Sequence, residues 1–196
     1  MSIFKRALDL AVCVPTLLFG LPVAAAIAVA IRLDSPGPIL FRQPRRGKNF
    51  FPFTILKFRT LEHRVADPHE RYEMRSCDPR ITRVGRFLRR SSLDELPQVL
   101  NILQGSMSLV GPRPLVEWES RELLRTHPDR FSMKPGLTGL SQITIRNAGT
   151  LGVRSDKDIE YVRHWSAKLD AWIVMRTPLS LLRSDSIYPD YPRKPS

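Results

Sequence analysis

The longest apolar segment of the chain lies close to its N-terminus and constrains the fold more than any other feature. No charged residue occurs between Leu10 and Ile31. A straight helix of this length extends roughly 30 Å, which matches the hydrocarbon core of a bilayer. Three interpretations follow: a cleaved secretory signal peptide, a helix that spans the membrane, and a bent helix that enters the membrane and leaves on the same side.

Charged residues on both sides of the segment favour the bent helix. Lys5 and Arg6 precede it, and further basic residues follow at Arg32, Arg42, Arg45, Arg46 and Lys48. A spanning helix carries more Lys and Arg on its cytoplasmic flank, whereas here both flanks are basic. A signal peptide is disfavoured because Asp9 interrupts the start of the segment and the segment is long for a signal peptide. We therefore expect both flanks to face the anionic cytoplasmic leaflet.

Two prolines provide the bend. Pro15 and Pro22 lie inside the segment, and an interior proline removes one backbone hydrogen bond and kinks a helix. We expect residues 1–33 to form a re-entrant membrane anchor that bends at Pro22 and Pro15. A turn cluster at residues 34–38, with the sequence DSPGP, ends this anchor.

The composition indicates a folded and strongly basic protein. Lys and Arg number 31 against 19 Asp and Glu, which gives a formal charge of +12, and 42% of the residues are hydrophobic. This apolar content excludes a disordered chain, and the charge predicts an anionic partner: nucleic acid, anionic lipid or a phosphorylated small molecule. The sequence has no zinc finger, RNA-binding signature or basic zipper, so binding to nucleic acid would rest on charge alone.

A predicted strand and a predicted helix in the middle of the chain carry closely spaced cations. Residues 53–59 (FTILKFR) alternate as a strand does, which puts Lys57 and Arg59 on one face. These two side chains either converge on an anion or form a solvated outer face. Residues 81–90 (ITRVGRFLRR) fit a basic amphipathic helix, which beside a membrane anchor indicates association with the membrane surface.

Two adjacent carboxylates, Asp94 and Glu95, stand at the predicted start of a helix that continues through residues 96–103. Ser92 and Glu95 have the spacing of a capping box, in which the carboxylates only stabilise the helix start. Pro97 argues against this register, because it would be the fifth helical residue and lacks the N–H that this position donates. The alternative is a phosphate-directed site, since a carboxylate can attack phosphorus or hold Mg²⁺.

The C-terminal half of the chain adds further candidate residues. Arg113 lies between two prolines, and this stiff turn suits bidentate recognition of a phosphate. Residues 137–143 predict a short strand, and Arg146 follows in a loop. Residues 158–182 predict a mainly helical segment, in which Trp172 lies either at the membrane interface or in the core.

Several motifs occur in a fixed order along the chain. They are Phe4-Lys5-Arg6 with Asp9, Lys57-Phe58-Arg59-Thr60, Asp78-Pro79-Arg80-Ile81-Thr82, Ser92-Leu93-Asp94-Glu95-Leu96-Pro97-Gln98, Asn101, Gly105-Ser106-Met107-Ser108, Val110-Gly111-Pro112-Arg113-Pro114, Lys134-Pro135-Gly136-Leu137-Thr138-Gly139 and Arg146-Asn147-Ala148. Through these motifs, over residues 4–182, the chain closely resembles the bacterial sugar transferases, the monotopic phosphoglycosyl transferases, in their small form that consists of the catalytic domain.

The resemblance implies a definite activity. Such enzymes transfer a sugar-1-phosphate from a UDP-sugar to undecaprenyl phosphate or another polyprenol phosphate, the first membrane step of bacterial polysaccharide or glycoconjugate synthesis. By this resemblance Asp94 is the covalent nucleophile in a ping-pong reaction and Glu95 binds Mg²⁺. Lys57, Arg89 and Arg113 match family cations near the phosphates, and Arg146 is a further candidate of the same kind. Arg59, on the same predicted strand face as Lys57, is also expected to bind phosphate. The bend of the family's re-entrant helix matches Pro22, and Pro15, which departs from the family pattern, would add a second kink.

The resemblance also predicts the fold, the location and the partners. We expect a mainly helical α+β fold with a re-entrant membrane helix, amphipathic interfacial helices and a small β element. Residues 1–33 would be the anchor, residues 34–184 the catalytic domain and residues 185–196 a tail. The enzyme would be monotopic on the cytoplasmic face of the bacterial inner membrane, in contact with anionic lipids and without a nucleic-acid partner; a homo-oligomer is left open. The alternative is a membrane-anchored nucleic-acid-binding or scaffolding protein with a decayed site, which the intact acidic pair argues against.

Overall fold

The computed structural model describes residues 3–63, 78–145 and 149–182. Within these residues the protein is mainly helical with two small two-stranded sheets, which confirms the predicted α+β class. The helices are α1 (Ile3–Asp34), α2 (Arg83–Ser91), α3 (Gln98–Leu103), α4 (Glu117–Thr126), α5 (Leu140–Thr144), α6 (Leu151–Arg163) and α7 (Ala167–Leu182). The strands are β1 (Leu40–Arg46), β2 (Pro52–Phe58), β3 (Ser108–Val110) and β4 (Gly136–Thr138), and short 3-10 turns occur at Lys48–Phe50, Leu93–Glu95 and Pro128–Ser132. The predicted tail, residues 185–196, lies outside the described residues.

Helix α1 packs along the rest of the protein with one side only. Its buried residues are Lys5, Asp9, Cys13, Ile27 and Ile31, and Leu17 and Ala24 pack partly buried between them. This spacing of three and four residues is one stripe of a helix. The other side exposes apolar side chains such as Val14, Leu18 and Leu21. By its length and composition, α1 could cross a membrane.

The helix is continuous through both interior prolines. Pro15 and Pro22 lie within Ile3–Asp34, and the chain leaves the helix at a bend over residues 35–37. Helix α1 therefore ends at the DSPGP turn, and the division of the chain into an anchor and a catalytic domain stays a prediction. The re-entrant path with its bend at Pro22 and Pro15 stays a prediction.

Polar contacts bind the first turns of α1 into the core. Lys5 Nζ donates to the Tyr161 hydroxyl at 2.8 Å and lies 2.9 Å from Asp170 Oδ2. Asp9 Oδ1 accepts from Ser108 Oγ at 2.9 Å and from the backbone N–H of Leu109 at 2.7 Å. Because these groups are buried, the start of the predicted anchor also belongs to the core of the protein.

The two sheets have opposite topologies. β1 and β2 are antiparallel, and their register puts Arg45 opposite Phe53 and Phe41 opposite Lys57. β3 and β4 are parallel, with Val110 opposite Thr138. The strand predicted at residues 53–59 is confirmed within one residue. The strand predicted at residues 137–143 is wrong beyond Thr138, because β4 ends there and α5 begins at Leu140.

The C-terminal helices resolve the two interpretations of Trp172. The predicted helical segment is α6 and α7, with a break between Arg163 and Ala167. Ile173 is fully buried, whereas Trp172 is 38% exposed and stacks against the Arg176 guanidinium, 5.4 Å from the ring centroid. This part of α7 therefore contributes Ile173 to the core and keeps Trp172 at the surface.

Candidate active site

A reversal of the chain between α2 and α3 presents the two carboxylates. α2 ends at Ser91, and Ser92 adopts the left-handed conformation with φ of 56°, which is uncommon for a residue other than glycine. The 3-10 turn Leu93–Glu95 follows, and Pro97 is the N-cap of α3. The capping-box alternative is wrong, because the Ser92 side chain makes no capping bond. At the N-cap, Pro97 loses no hydrogen bond through its missing N–H.

Lys57 joins both carboxylates. Its Nζ lies 2.6 Å from Glu95 Oε1 and 4.0 Å from Asp94 Oδ2. Asn101 fixes the distance between β2 and α3, because its side chain accepts from the Leu56 N–H at 3.0 Å and donates to the Thr54 carbonyl at 2.7 Å. The lysine and the acidic pair therefore meet through a rigid contact between two elements.

The pKa values of the two neighbouring carboxyls are shifted in opposite directions. Burial raises the pKa of Asp94 to about 6, with a further contribution from the negative charge of Glu95, while Lys57 and Arg89 oppose the increase. For Glu95, burial also favours the protonated acid, but the charges of Lys57 and Arg113 outweigh it and hold the pKa of Glu95 below its usual value. Asp94 is therefore a weaker acid than an ordinary aspartate and Glu95 a stronger acid than an ordinary glutamate. Such shifted pKa values are typical of functional sites.

The structure brings together three of the five predicted cations. Lys57, Glu95 and Arg113 line one pocket. Arg89 donates from Nε to Thr60 Oγ1 at 2.8 Å, and its charge acts on Asp94. Lys57, Arg89 and Arg113 thus surround the acidic pair with positive charge.

Arg59 is not part of this cluster, and its predicted contact with phosphate is corrected. Its guanidinium is buried and donates to the backbone carbonyls of Ser35, at 2.8 Å, and Pro36. β2 ends at Phe58, so the alternation that pairs Lys57 with Arg59 stops before Arg59. Arg59 instead binds backbone carbonyls that directly follow the C-terminal end of α1. Arg146 lies outside the described residues.

A buried ion pair holds the backbone of Arg113. The N–H of Arg113 donates to Asp158 Oδ2 at 3.2 Å, and its carbonyl accepts from the guanidinium of Arg130. Arg130 and Asp158 pair with each other at 2.7 Å, and Ser141 Oγ donates to Asp158 Oδ1 at 2.6 Å. The peptide of Arg113 is therefore fixed on both sides, which limits the positions of its side chain over the pocket.

The pocket also contains residues that the sequence analysis did not assign. Arg45, Gln98 and Gln142 line it together with the predicted side chains. Burial and the nearby charge of Arg113 lower the pKa of Arg45 to about 10. The pairing of the strands brings Arg45 to the pocket, since Arg45 and Lys57 occupy the same face of the β1–β2 pair, and the residues of β1 alone do not indicate this pairing. The pair of Arg130 and Asp158 has no signal in the sequence either, because the two residues are distant from Arg113 in the chain.

These features describe a protein with a pair of adjacent carboxylates at a cationic pocket that Glu95 lines, together with a long apolar helix. The chain belongs to the bacterial sugar transferases, whose family pattern matches residues 1–184. Membership of this family confirms the resemblance and the prediction that the protein is an enzyme.

Three relatives illustrate the similarity. A UDP-glucose:undecaprenyl-phosphate glucose-1-phosphate transferase of Caulobacter vibrioides is 46% identical over 94% of this chain and 72% of its own length. The enzyme of the same name from Escherichia coli K12 is 41% identical over 89% of this chain and 39% of its own length. The exopolysaccharide production protein PSS of Rhizobium leguminosarum is 38% identical over 92% of this chain and 96% of its own length. The chain therefore spans well under half of the E. coli relative and nearly all of the Rhizobium one.

Proposed function

We propose that the protein transfers a sugar-1-phosphate from a UDP-sugar to a polyprenol phosphate. The observation that carries the proposal is the meeting of Asp94 and Glu95 with Lys57, Arg89 and Arg113 in one site. The names of the relatives support the same substrates, since two of them use UDP-glucose and undecaprenyl phosphate. The name of the third supports a role in exopolysaccharide production.

The proposed reaction has two steps. A carboxylate oxygen of Asp94 attacks the β-phosphorus of the UDP-sugar, the bond from this phosphorus to the bridging oxygen of the diphosphate breaks, and UMP leaves with that oxygen. The sugar phosphate is then bound to Asp94 as an acyl phosphate. A phosphate oxygen of the polyprenol phosphate attacks the same phosphorus, which releases the Asp94 carboxylate and forms a polyprenyl diphosphate sugar.

The residues around Asp94 have distinct roles in this reaction. Asp94 must be ionised to attack, and its raised pKa keeps it a better nucleophile than a carboxylate of ordinary acidity. Lys57 and Arg113 stabilise the negative charge of the transferring group, because a water-poor pocket strengthens such interactions. The guanidinium of Arg113 offers the planar fork that binds phosphate oxygens in pairs.

The proposed cofactor is Mg²⁺. Among the described residues no group of three or more metal-ligating side chains could hold a metal ion alone. The adjacent carboxylates of Asp94 and Glu95 nevertheless fit Mg²⁺, which binds through one or two carboxylates and takes its remaining ligands from substrate phosphates and water. Glu95 is the better ligand because its low pKa keeps it ionised. When bound, the ion would neutralise charge on the diphosphate.

We further propose a monotopic position on the cytoplasmic face of the bacterial inner membrane. Lys5 and Ile31, near opposite ends of α1, both pack against the same domain. This packing supports a helix that keeps both ends on one side of the membrane. The basic face of α2 would then contact anionic lipids. The homo-oligomer and the lack of a nucleic-acid partner stay predictions.

A transfer assay tests the function. Purified protein in nanodiscs is mixed with undecaprenyl phosphate and single UDP-sugars, and UMP and the lipid product are measured. We expect UMP release with at least one UDP-sugar, loss of release in Asp94→Asn, and loss of release on addition of excess chelator. An absence of UMP with every UDP-sugar would contradict the proposed substrates, and full activity in chelator would contradict the proposed cofactor.

A further inference from the structure

Gln98 is a buried side chain of the pocket that the mechanism above does not use. It is the first residue of α3 and is only 2% exposed. It lines the pocket together with Lys57, Glu95 and Arg113. Among the described residues, its side-chain Nε2 has no hydrogen-bond partner. A buried N–H group without an acceptor destabilises a fold, so a ligand that accepts from this amide would explain its position.

The surroundings of the amide indicate what it binds. The Gln98 amide lies beside the Glu95 carboxylate, and its N–H group helps to lower the pKa of that carboxyl, although Nε2 stands in full hydrogen-bond geometry with no described acceptor. Three of the other side chains that line the pocket, those of Arg45, Lys57 and Arg113, are cations, and cations offer only donors. An anionic ligand rich in acceptor oxygens would satisfy all of these donors together.

We propose that Gln98 Nε2 donates a hydrogen bond to a non-bridging oxygen of the phosphoryl group that transfers to Asp94. This inference rests on the proposed function and names a further residue for the same reaction. Gln98 is a neutral donor beside Lys57 and Arg113, and it adds a directional contact without changing the charge of the pocket. The first residue of α3 directly follows the acidic turn and Pro97, so the donor and the nucleophile belong to one short rigid segment.

The role of Gln98 is tested with Gln98→Met, which keeps the length of the side chain and removes the donor. We expect the rate of UMP release in a single turnover, without lipid acceptor, to fall about 10- to 100-fold, the usual effect of a lost hydrogen bond to a charged group. The melting temperature should stay the same or rise, because the substitution removes an unpaired polar group from a buried site. The matched control is Gln104→Met, an exposed glutamine just after the same helix, which should leave both quantities unchanged.

Other outcomes would overturn the inference. An unchanged rate in Gln98→Met would exclude a contact with the reacting group. A lower melting temperature together with a lower rate would identify Gln98 as a structural residue. A shift of the pH–rate profile, rather than a lower plateau, would show that Gln98 acts through Glu95. A wild-type enzyme that releases no UMP from any UDP-sugar would instead contradict the proposed function, so the two failures are distinguishable.

Discussion

Asp94 and Glu95 are neighbours in the sequence, yet the structure gives their carboxyls different environments. Asp94 Oδ2 lies 4.0 Å from Nζ of Lys57, whereas Glu95 Oε1 lies 2.6 Å from the same nitrogen. The desolvation of Asp94 is therefore compensated less than that of Glu95, which is also close to Arg113. This difference in distance supports the proposed division of roles, in which Asp94 is the nucleophile and Glu95 stays ionised.

The raised pKa predicts how the rate depends on pH. Only ionised Asp94 can attack phosphorus, so the rate of UMP release in a single turnover should increase as the pH rises through about 6 and should level off above pH 7. The measurement is rapid-quench kinetics between pH 5 and pH 8. A rate that is constant across this range would show that Asp94 has an ordinary pKa or is not the nucleophile.

The same shift predicts an effect on stability. The pKa of Asp94 is about 6 in the folded protein, higher than the usual value of about 3.9 for an aspartate in an unfolded chain. The folded state therefore binds more protons between these values, and stability decreases as the pH rises through this window. Asp94→Asn removes the buried charge and should raise the free energy of unfolding at pH 7.5 by about 1–3 kcal/mol. Asp156→Asn, at an exposed carboxylate, is the control and should leave the free energy of unfolding nearly unchanged. A lower free energy of unfolding in Asp94→Asn would contradict the claim that burial destabilises the ionised Asp94.

Single residues also show where the sequence was informative. The acidic pair and Lys57 could be predicted from local motifs, because each lies in a segment whose neighbours position it. Arg59 has the same spacing pattern as Lys57, but the strand ends at Phe58 and the guanidinium binds backbone carbonyls instead. Arg45 enters the pocket through the pairing of β1 with β2, which the residues of β1 alone do not reveal.

The loop that carries Arg113 is held by elements far from it in the chain. Its flanking residues pair with β4, since the Gly111 N–H donates to the Thr138 carbonyl and the Gly136 N–H donates to the Pro112 carbonyl, each at 2.9 Å. A Cβ on Gly111 would lie 2.4 Å from the Lys134 carbonyl oxygen, so no larger residue fits there. The buried pair of Arg130 and Asp158 completes this support.

Removal of that support predicts a loss of both stability and transfer. Asp158→Asn leaves Arg130 buried without its counter-ion and should lower the free energy of unfolding by about 3–5 kcal/mol. At a temperature where the variant is still folded, kcat should fall about tenfold or more while the pH–rate profile keeps its midpoint, because Arg113 is displaced and Asp94 is not. Asp156→Asn, on the exposed side of the same helix, is the control. A folded Asp158→Asn variant with normal kcat would show that this pair does not position Arg113.

Predicted and observed elements differ where tertiary pairing decides the outcome. The basic helix at residues 81–90 is confirmed as Arg83–Ser91, because Thr82 caps it by accepting from the Gly85 N–H. The strand predicted at residues 137–143 is reduced to Gly136–Thr138, since β3 is only three residues long and offers no further partner. The periodicity of a segment gives no information about the length of the strand with which it pairs.

Considered as a whole molecule, the protein has its predicted anchor built into its core. The apolar content of α1 was evident from the sequence, whereas its contacts were not. Lys5 and Asp9 contact groups more than 95 positions away in the chain. Because of this separation, no local sequence pattern indicates these contacts. The flanking charges that indicated a membrane anchor therefore also include buried groups that dock the helix.

This packing predicts the topology in the cell. Single cysteines at Ile3 and at Lys48, in a chain with Cys13 and Cys77 replaced, should both resist a membrane-impermeant maleimide applied from the periplasm and react after the membrane is permeabilised. The double variant Pro15→Ala with Pro22→Ala tests whether the prolines maintain this topology, and periplasmic labelling at Ile3 in that variant alone would support the bend. Labelling at Ile3 in the chain with both prolines would contradict a re-entrant anchor.

The formation of a covalent bond to Asp94 tests the proposed mechanism most directly. Enzyme and an accepted UDP-sugar, mixed without polyprenol phosphate, should release about one UMP per active site, and intact-protein mass spectrometry should show the added mass of one phosphosugar, localised to Asp94 by peptide mapping. Addition of undecaprenyl phosphate should remove that mass and form the lipid product. UMP release that requires the lipid acceptor, with no adduct trapped at any time point, would contradict a two-step transfer through Asp94.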